Sequence, residues 1–261
     1  MTPESKPFIL DIHTHTKEFR PSNRTEDYCA LMQAGVSQHL HAIAITDHNA
    51  INPKAIKEAE DGFLTTPLIV FPGVELGTVY TRPYLAISLR NKPTISFQQM
   101  VPFHMGIFGS AAQEIQDVIK HLKRAPRRMK TVLAELEGRE LMITINHPML
   151  PDKPKPEDRL GVLESIGEVD RHGVICAMEY PYSYKDQALM IARNAGWTIV
   201  GGSDAHVGKD RWAQDLGSIA TKVYLTETQS REPKEILQKL RRGRSVYPVE
   251  RVSDGTYAEL E

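Results

Sequence analysis

Short apolar, β-branched runs recur along the whole chain, separated by amphipathic stretches: "PFILDIHTH", "HAIAITDHN", "LIVFPGVEL", "YLAISL", "LMITINHP", "GVICAMEYP", "WTIVGGSDAH" and "IATKVYL". Continuous apolar strands alternating with helices predict a parallel sheet covered on both faces, and about eight such units suggest an α/β barrel. A length of 261 residues suits one barrel domain with one large core, so residues 1–261 read as a single domain.

The helix signals between the strands are legible. Thr25 is placed to cap a helix whose Tyr28, Leu31, Met32 and Val36 form an apolar stripe. Asn52-Pro53 starts another as cap and first-turn proline. Ile115, Val118, Ile119 and Leu122 make one apolar face and Met129, Val132, Leu133 and Leu136 the next, with Pro126 between them. Gly196 and Gly243 stand where left-handed C-caps belong, and the Pro/Lys-rich stretch 148–159 reads as a surface loop.

The ends of the strands carry the chemistry. His13 and His15, then Asp47 and His48, then Glu75, then His147, then Asp204 and His206 all follow apolar runs on their C-terminal side. In a barrel of parallel strands that edge is one opening, so fragments distant in sequence become one cluster. On a strand, residues i and i+2 share a face, which gives His13 and His15 the geometry of a chelating pair. Imidazole with carboxylate suits Zn, Mn or Fe, whereas an oxygen-only set suggests Mg or Ca. The two cysteines, Cys29 and Cys176, lie far apart in apolar surroundings and read as buried thiols of a reducing compartment.

Charge and hydropathy exclude some partners. A formal net charge of −1 supplies no bulk attraction for a polyanion, so extended nucleic-acid binding is not expected. No apolar run reaches the ~18 residues of a membrane span and the N-terminus lacks a signal-peptide pattern, so the expectation is a cytoplasmic protein without membrane attachment.

"HTH" after the first strand, "TDHN" after the second, "GVE" after the third, "NHP" near mid-chain and "GSDAH" late resemble the motif series of the PHP (polymerase and histidinol phosphatase) metallophosphoesterases, in order over roughly residues 8–250. The resemblance implies a distorted (β/α)7 TIM-like barrel and a centre of two or three divalent ions that hydrolyses phosphate esters. It further implies that His13, His15, Glu75 and Asp204 hold one ion, that Glu75 bridges to a second completed by His104 and His147, and that a third takes His48 and His206. The family's remaining ligand for that third ion falls at Arg20 or Pro21, with Glu18 as a substitute, so the pattern departs here and a two-ion centre stays open.

For the reaction, Glu75 would bridge while Asp204, Asp47 or His206 assists proton transfer to the leaving alkoxide. Asp47 equally suits a role orienting a neighbouring imidazole. Asn146 and Pro148 read as turn-shaping residues. Arg20 foremost, then Lys17, Lys209 and Arg211, are the cations flanking the motifs and able to meet the substrate phosphate. The expected substrate is a small-molecule phosphate ester or nucleotide; the alternatives are an exonuclease acting on short oligonucleotides and a non-catalytic, metal-stabilised domain. A C–N hydrolase of the amidohydrolase type fits less well, since no strand-end lysine stands out.

Overall fold

The computed structural model describes residues 4–18, 20–62, 68–85, 96–122, 129–149, 156–170 and 172–260, with backbone alone at 79–85, 96–102 and 156–158. Its strands are β1 (Lys6–His15), β2 (Ala42–Ile45), β3 (Ile69–Leu85), β4 (Ser96–Phe108), β5 (Met142–Asn146), β6 (Ala177–Glu179), β7 (Thr198–Val200), β8 (Ala205–His206), β9 (Ile219–Leu225), β10 (Val246–Arg251) and β11 (Tyr257–Glu259). Its helices are α1 (Thr25–Ser37), α2 (Pro53–Gly62), α3 (Ala112–Leu122), α4 (Met129–Leu136), α5 (Pro156–Val169), α6 (Lys185–Ala195), α7 (Trp212–Asp215) and α8 (Pro233–Arg242). One sheet runs in the order β11-β10-β9-β1-β2-β3-β4-β5-β6-β7, with β8 pairing β1.

The sheet is mixed, which corrects the expectation of a wholly parallel one. β1-β2-β3 and β5-β6-β7 are parallel, but β4 lies antiparallel between β3 and β5, and β9 and β10 add antiparallel strands beyond β1. An apolar run reports burial on both faces and carries no information about strand direction. Of the expected strand "YLAISL", Tyr84 and Leu85 end β3, and its other residues lie outside the described ones, as does Pro126.

The sheet curls into a distorted barrel. Its interior is read directly from alternate residues: Phe8, Leu10 and Ile12 of β1, Ala42 and Ala44 of β2, Phe71, Phe108, Met142, Ala177, Val200 and Val223 form one buried cluster, closed at one end by Ile236, Leu237 and Leu240 of α8. A second cluster packs Ile9, Ile43 and Ile45 on the outer face against α1 and α2. A third packs Val74, Leu76, Ile107, Ile143 and Ile145 against α3 to α6.

Where β7 meets β9 the curl is closed by a side chain: Gly201 N–H donates to Thr221 Oγ1 (2.9 Å), whose hydroxyl donates back to Gly201 O (2.8 Å). The approach needs glycine, because a Cβ on Gly201 would stand 2.1 Å from Ala220 O. Gly201→Ala is therefore expected to destabilise the fold by about 1–3 kcal/mol in chemical denaturation. A variant as stable as the parent would show that β7 and β9 do not meet this tightly.

Most helix expectations hold, with three corrections. The cap of α2 is met by Asn52 Oδ1 accepting from Ala55 N–H (3.2 Å), and Gly196 and Gly243 end α6 and α8 at positive φ. Thr25 is the first helical residue of α1 and not its cap, because its hydroxyl donates to Glu58 Oε2 of α2 (2.8 Å). Val36 is exposed, and the buried face of α1 ends on Gly35, which lies against Ile43 and Leu68. The stretch expected as a loop to residue 159 instead enters α5 at Pro156, and Arg159 is buried over the Phe103 ring (5.3 Å). A first-turn proline starts a helix as readily as it marks a loop. Residues 150–155 of that stretch lie outside the described ones.

Candidate metal centre

The alternation that lines the barrel with apolar side chains also delivers the polar ones at its open end. Stepping by two along each strand leads from Phe71 through Gly73 to Glu75, from Phe108 through Gly106 to His104, from Met142 through Thr144 to Asn146, and from Ala177 to Glu179. In β1 the alternation breaks. Leu10 and Asp11 pair Ala42 and Ile43, but the next partner, Ile45, pairs Thr14, so the strand carries a bulge between Asp11 and Thr14. An extra residue shifts every later side chain to the other face. Ile12 thus stays with the interior cluster while His13 and His15 also turn inward.

Glu75 is the hub. Its Oε1 lies 3.2 Å from His13 Nε2, 3.2 Å from His104 Nδ1 and 3.5 Å from His147 Nε2. Its Oε2 lies 3.0 Å from His48 Nδ1 and 3.8 Å from His15 Nε2. Asp204 Oδ1 stands 3.2 Å from His15 Nε2 and 3.6 Å from both His13 Nε2 and His206 Nδ1, and Oδ2 3.7 Å from His147 Nε2. His147 (φ 45°) and Asp204 (φ 53°) both sit in the left-handed region, the kind of strain that persists where surrounding structure over-determines it.

The charges are mutually adjusted. Burial alone would raise the Glu75 carboxyl, but His13, His104 and His147 hold it well below the usual carboxylate range. Burial disfavours a charged His13, yet the Glu179 and Glu75 carboxylates raise it well above the usual imidazole range. Burial pushes His15 down to about 3, so its ring is neutral and keeps a lone pair available. Burial opposes ionisation of Asp204, while the histidines His15, His13 and His147 hold it below the usual range. The site pulls strongly on a cation.

The donor set fits divalent ions. Three groups of donor atoms lie within 4.8 Å of one another: His13, His15 and Asp204; His13, Glu75 and His147; and His15, His48 and His206. Glu75 Oε2, His15 Nδ1 and His104 Nδ1 are buried with no hydrogen-bond partner, although His48 and His104 nitrogens approach the carboxylate closely. Buried polar atoms are normally satisfied, so nitrogens and oxygens that converge without hydrogen bonding suit the coordination of a Lewis acid. The groups differ from the implied ligand sets: His15 joins His48 and His206, where the sequence pattern lacked a ligand, His13 stands with Glu75 and His147 where the resemblance implied His104, and Glu75 is not grouped with His13, His15 and Asp204. Glu18, the possible substitute, instead pairs with Lys209 (3.4 Å).

Other expected residues lie away from the hub. Asp47 accepts from Thr16 N–H and Thr16 Oγ1 (both 2.7 Å), and Ser22 N–H donates to that same hydroxyl (2.8 Å). Asp47, pushed up to about 6 by burial, thereby ties down the loop after β1 that carries Lys17 and Arg20. Arg20, Lys209 and Arg211 are exposed and Lys17 is half-buried; Arg211 Nε donates to Gln214 (3.0 Å). His41 accepts from Ile9 N–H, and His121 and His172 pair with Glu135 and Glu137, all apart from the centre.

Three residues escaped the sequence reading. Glu179 Oε1 lies 2.6 Å from His13 Nδ1 and its Oε2 accepts from His147 N–H (2.9 Å), so one carboxylate orients imidazoles from β1 and the β5 turn. It ends the apolar run "GVICAME", the same strand-end signal that marked the others. Asn146, taken as a turn residue, donates from Nδ2 to Glu75 Oε1 (3.0 Å). Asp11, pushed up to about 6 by burial, accepts from the backbone N–H groups of His13, Ser203 and Gly217, joining β1 to the "GSDAH" loop. Carboxylates that fix a ligand imidazole typically contribute 10–100-fold in metal affinity or activity. Glu179→Gln is expected to lower metal affinity by about that factor in a competition titration; unchanged affinity would leave Glu179 with a structural role alone.

Residues 183–245, from just before α6 through α8 and including Asp204 and His206, match the family described as PHP-associated. No curated protein matches the chain in sequence. Among solved structures, the fold is similar to a putative metal-dependent phosphoesterase from Bifidobacterium adolescentis (TM-score 0.52, 14% identity, 90% of this chain and 96% of that one). It is also similar to an amidohydrolase from Chromobacterium violaceum (0.51, 12%, 95% and 99%) and to an Endonuclease Q solved with a 27-mer duplex bearing an abasic lesion (0.51, 12%, 93% and 58%). With the PHP-associated match over residues 183–245 and this shared fold, the chain resembles the PHP superfamily of metal-dependent phosphoesterases, as its motif series implies.

Proposed function

We propose that the chain is a single-domain metal-dependent hydrolase of phosphate esters, acting on a small-molecule phosphomonoester. The observation that carries the reading is the buried Glu75 carboxylate ringed by five histidines, with donor atoms that converge without hydrogen bonding. His13, His15, Glu75, His104, His147 and Asp204 would hold two divalent ions, and His48 and His206 with His15 a third. Bound there, such ions supply Lewis acidity toward the phosphoryl oxygens and a water acidic enough to attack phosphorus near neutral pH.

The protein's own groups do the rest. Glu179 and Asn146 keep His13, His147 and Glu75 in place. Asp204, with a side chain 40% exposed, stands between the buried imidazoles and solvent, and the histidines that hold it below the usual carboxylate range keep it an anionic oxygen donor. His206, lowered by burial and therefore neutral at ordinary pH, flanks it. The loop tied down by Asp47 offers Lys17 and Arg20 to the phosphate, with Lys209 and Arg211 on the facing loop.

Phosphate release from sugar, amino-alcohol and nucleotide monoesters and from short oligonucleotides, with Mn or Zn supplied, tests the proposal. Turnover of monoesters is expected. Turnover confined to oligonucleotides would assign a nuclease, and bound metal without any turnover would reduce the chain to a metal-stabilised domain.

A further inference from the structure

The segment "YPYSYK", residues 180–185, follows β6 and takes no part in the centre described above. Its residues Tyr180, Pro181, Tyr182 and Ser183 line a cavity of about 450 Å³ together with His147, Asp204, Ser218 and Ile219. That size falls within the ~300–1,000 Å³ of small-molecule sites. The cavity thus opens on the two ligand groups where a phosphate ester would present its alcohol.

Its lining has a definite chemistry. Tyr182 is 68% exposed, although Pro181 before it is buried. Its ring meets that of Tyr180 at 77° with centroids 5.7 Å apart, so Tyr180 braces Tyr182 without stacking on it. Lys185 Nζ lies 5.6 Å from the Tyr180 ring and steadies that brace. Pro148, Met149 and Ile219 add apolar surface. Among the described residues of the lining none is Lys or Arg, and the ionisable groups are His147, Glu179 and Asp204, which belong to the centre, together with the two tyrosines.

We propose that this cavity binds the alcohol portion of the substrate as a planar ring stacked on Tyr182, and that the substrate carries a single phosphate. A flat ring gains from an open tyrosine face beside apolar walls. A second phosphate would meet the carboxylates of Glu179 and Asp204 and no Lys or Arg among the described residues of the lining. The inference rests on the phosphoesterase reading and narrows it to ring-bearing monoesters, against polyphosphates and oligonucleotides.

The test uses the full-length, metal-loaded protein with adenosine 5′-monophosphate, ribose 5-phosphate and adenosine 3′,5′-bisphosphate as probes, and Tyr182→Ala and Tyr182→Phe as variants. Wild type should prefer the adenosine monophosphate over ribose 5-phosphate in kcat/KM by about tenfold, a typical worth of one stacked base. Tyr182→Ala should erase that ratio and Tyr182→Phe retain it. Calorimetric titration with adenosine, which has no phosphate, reads the cavity without turnover: binding to wild type that Tyr182→Ala abolishes is expected. Equal kcat/KM for the ring-bearing and ring-less esters, a preference for the bisphosphate, or adenosine binding unaffected by Tyr182→Ala would overturn the proposal. If no ester is hydrolysed, the phosphoesterase reading fails, and the adenosine titration still decides the cavity.

Discussion

Glu75→Gln is expected to lower phosphate-ester turnover by about 10³-fold or more, equivalent to roughly 4 kcal/mol of transition-state stabilisation. The amide keeps the size of the side chain and removes the one fully buried carboxylate that all five surrounding imidazoles face. With the charge gone, His13 loses one of the two carboxylates that surround it in the buried site. An ion placed between His13 and His147 then has no anionic oxygen from Glu75 on the third side of the triangle. Metal analysis of the purified variant should show at least one equivalent lost per chain, while circular dichroism stays that of the parent. A variant with parental turnover and metal content would sink the assignment of Glu75 as the bridge.

Chelation should lower the melting temperature by about 5–10 °C and abolish turnover, with Mn or Zn restoring both. A ligand present at a hundredfold excess over its dissociation constant stabilises the native state by about 2.7 kcal/mol. In a chain of this size each kcal/mol moves the midpoint by about 2–4 °C. The direction follows from the site itself: Glu75 and His15 are fully buried, and Glu75 Oε2 and His15 Nδ1 have no hydrogen-bond partner. The loss should vanish in Glu75→Gln, whose weakened centre has less metal to surrender. Unchanged melting and turnover in excess chelator would exclude a functional metal.

The strand-end histidines and carboxylates were legible because a parallel strand's C-terminal edge is a shared opening, and His13, His15, His48, Glu75, His147, Asp204 and His206 do converge there. His104 was legible only through the family pattern, because β4 runs opposite to its neighbours and the strand-end rule looks at the wrong end of it. Glu179 carried the same signal as the others and was passed over for want of a histidine beside it. Asp47 sits beside His48 yet turns to Thr16, since a single residue step moves a side chain off the shared face.

By itself, the sequence determined the α/β class, the periodic interior and the inventory of donors, because alternation, capping and apolar runs are local properties of a few consecutive residues. Only the tertiary structure decided that β4, β9 and β10 run antiparallel, that a bulge in β1 turns His13 and His15 inward, and that Glu179 grips the His13 imidazole of β1 and the His147 backbone after β5. Those outcomes depend on register and pairing between segments as distant as Lys6 and Leu225, and no local pattern encodes which partner a buried polar group will meet.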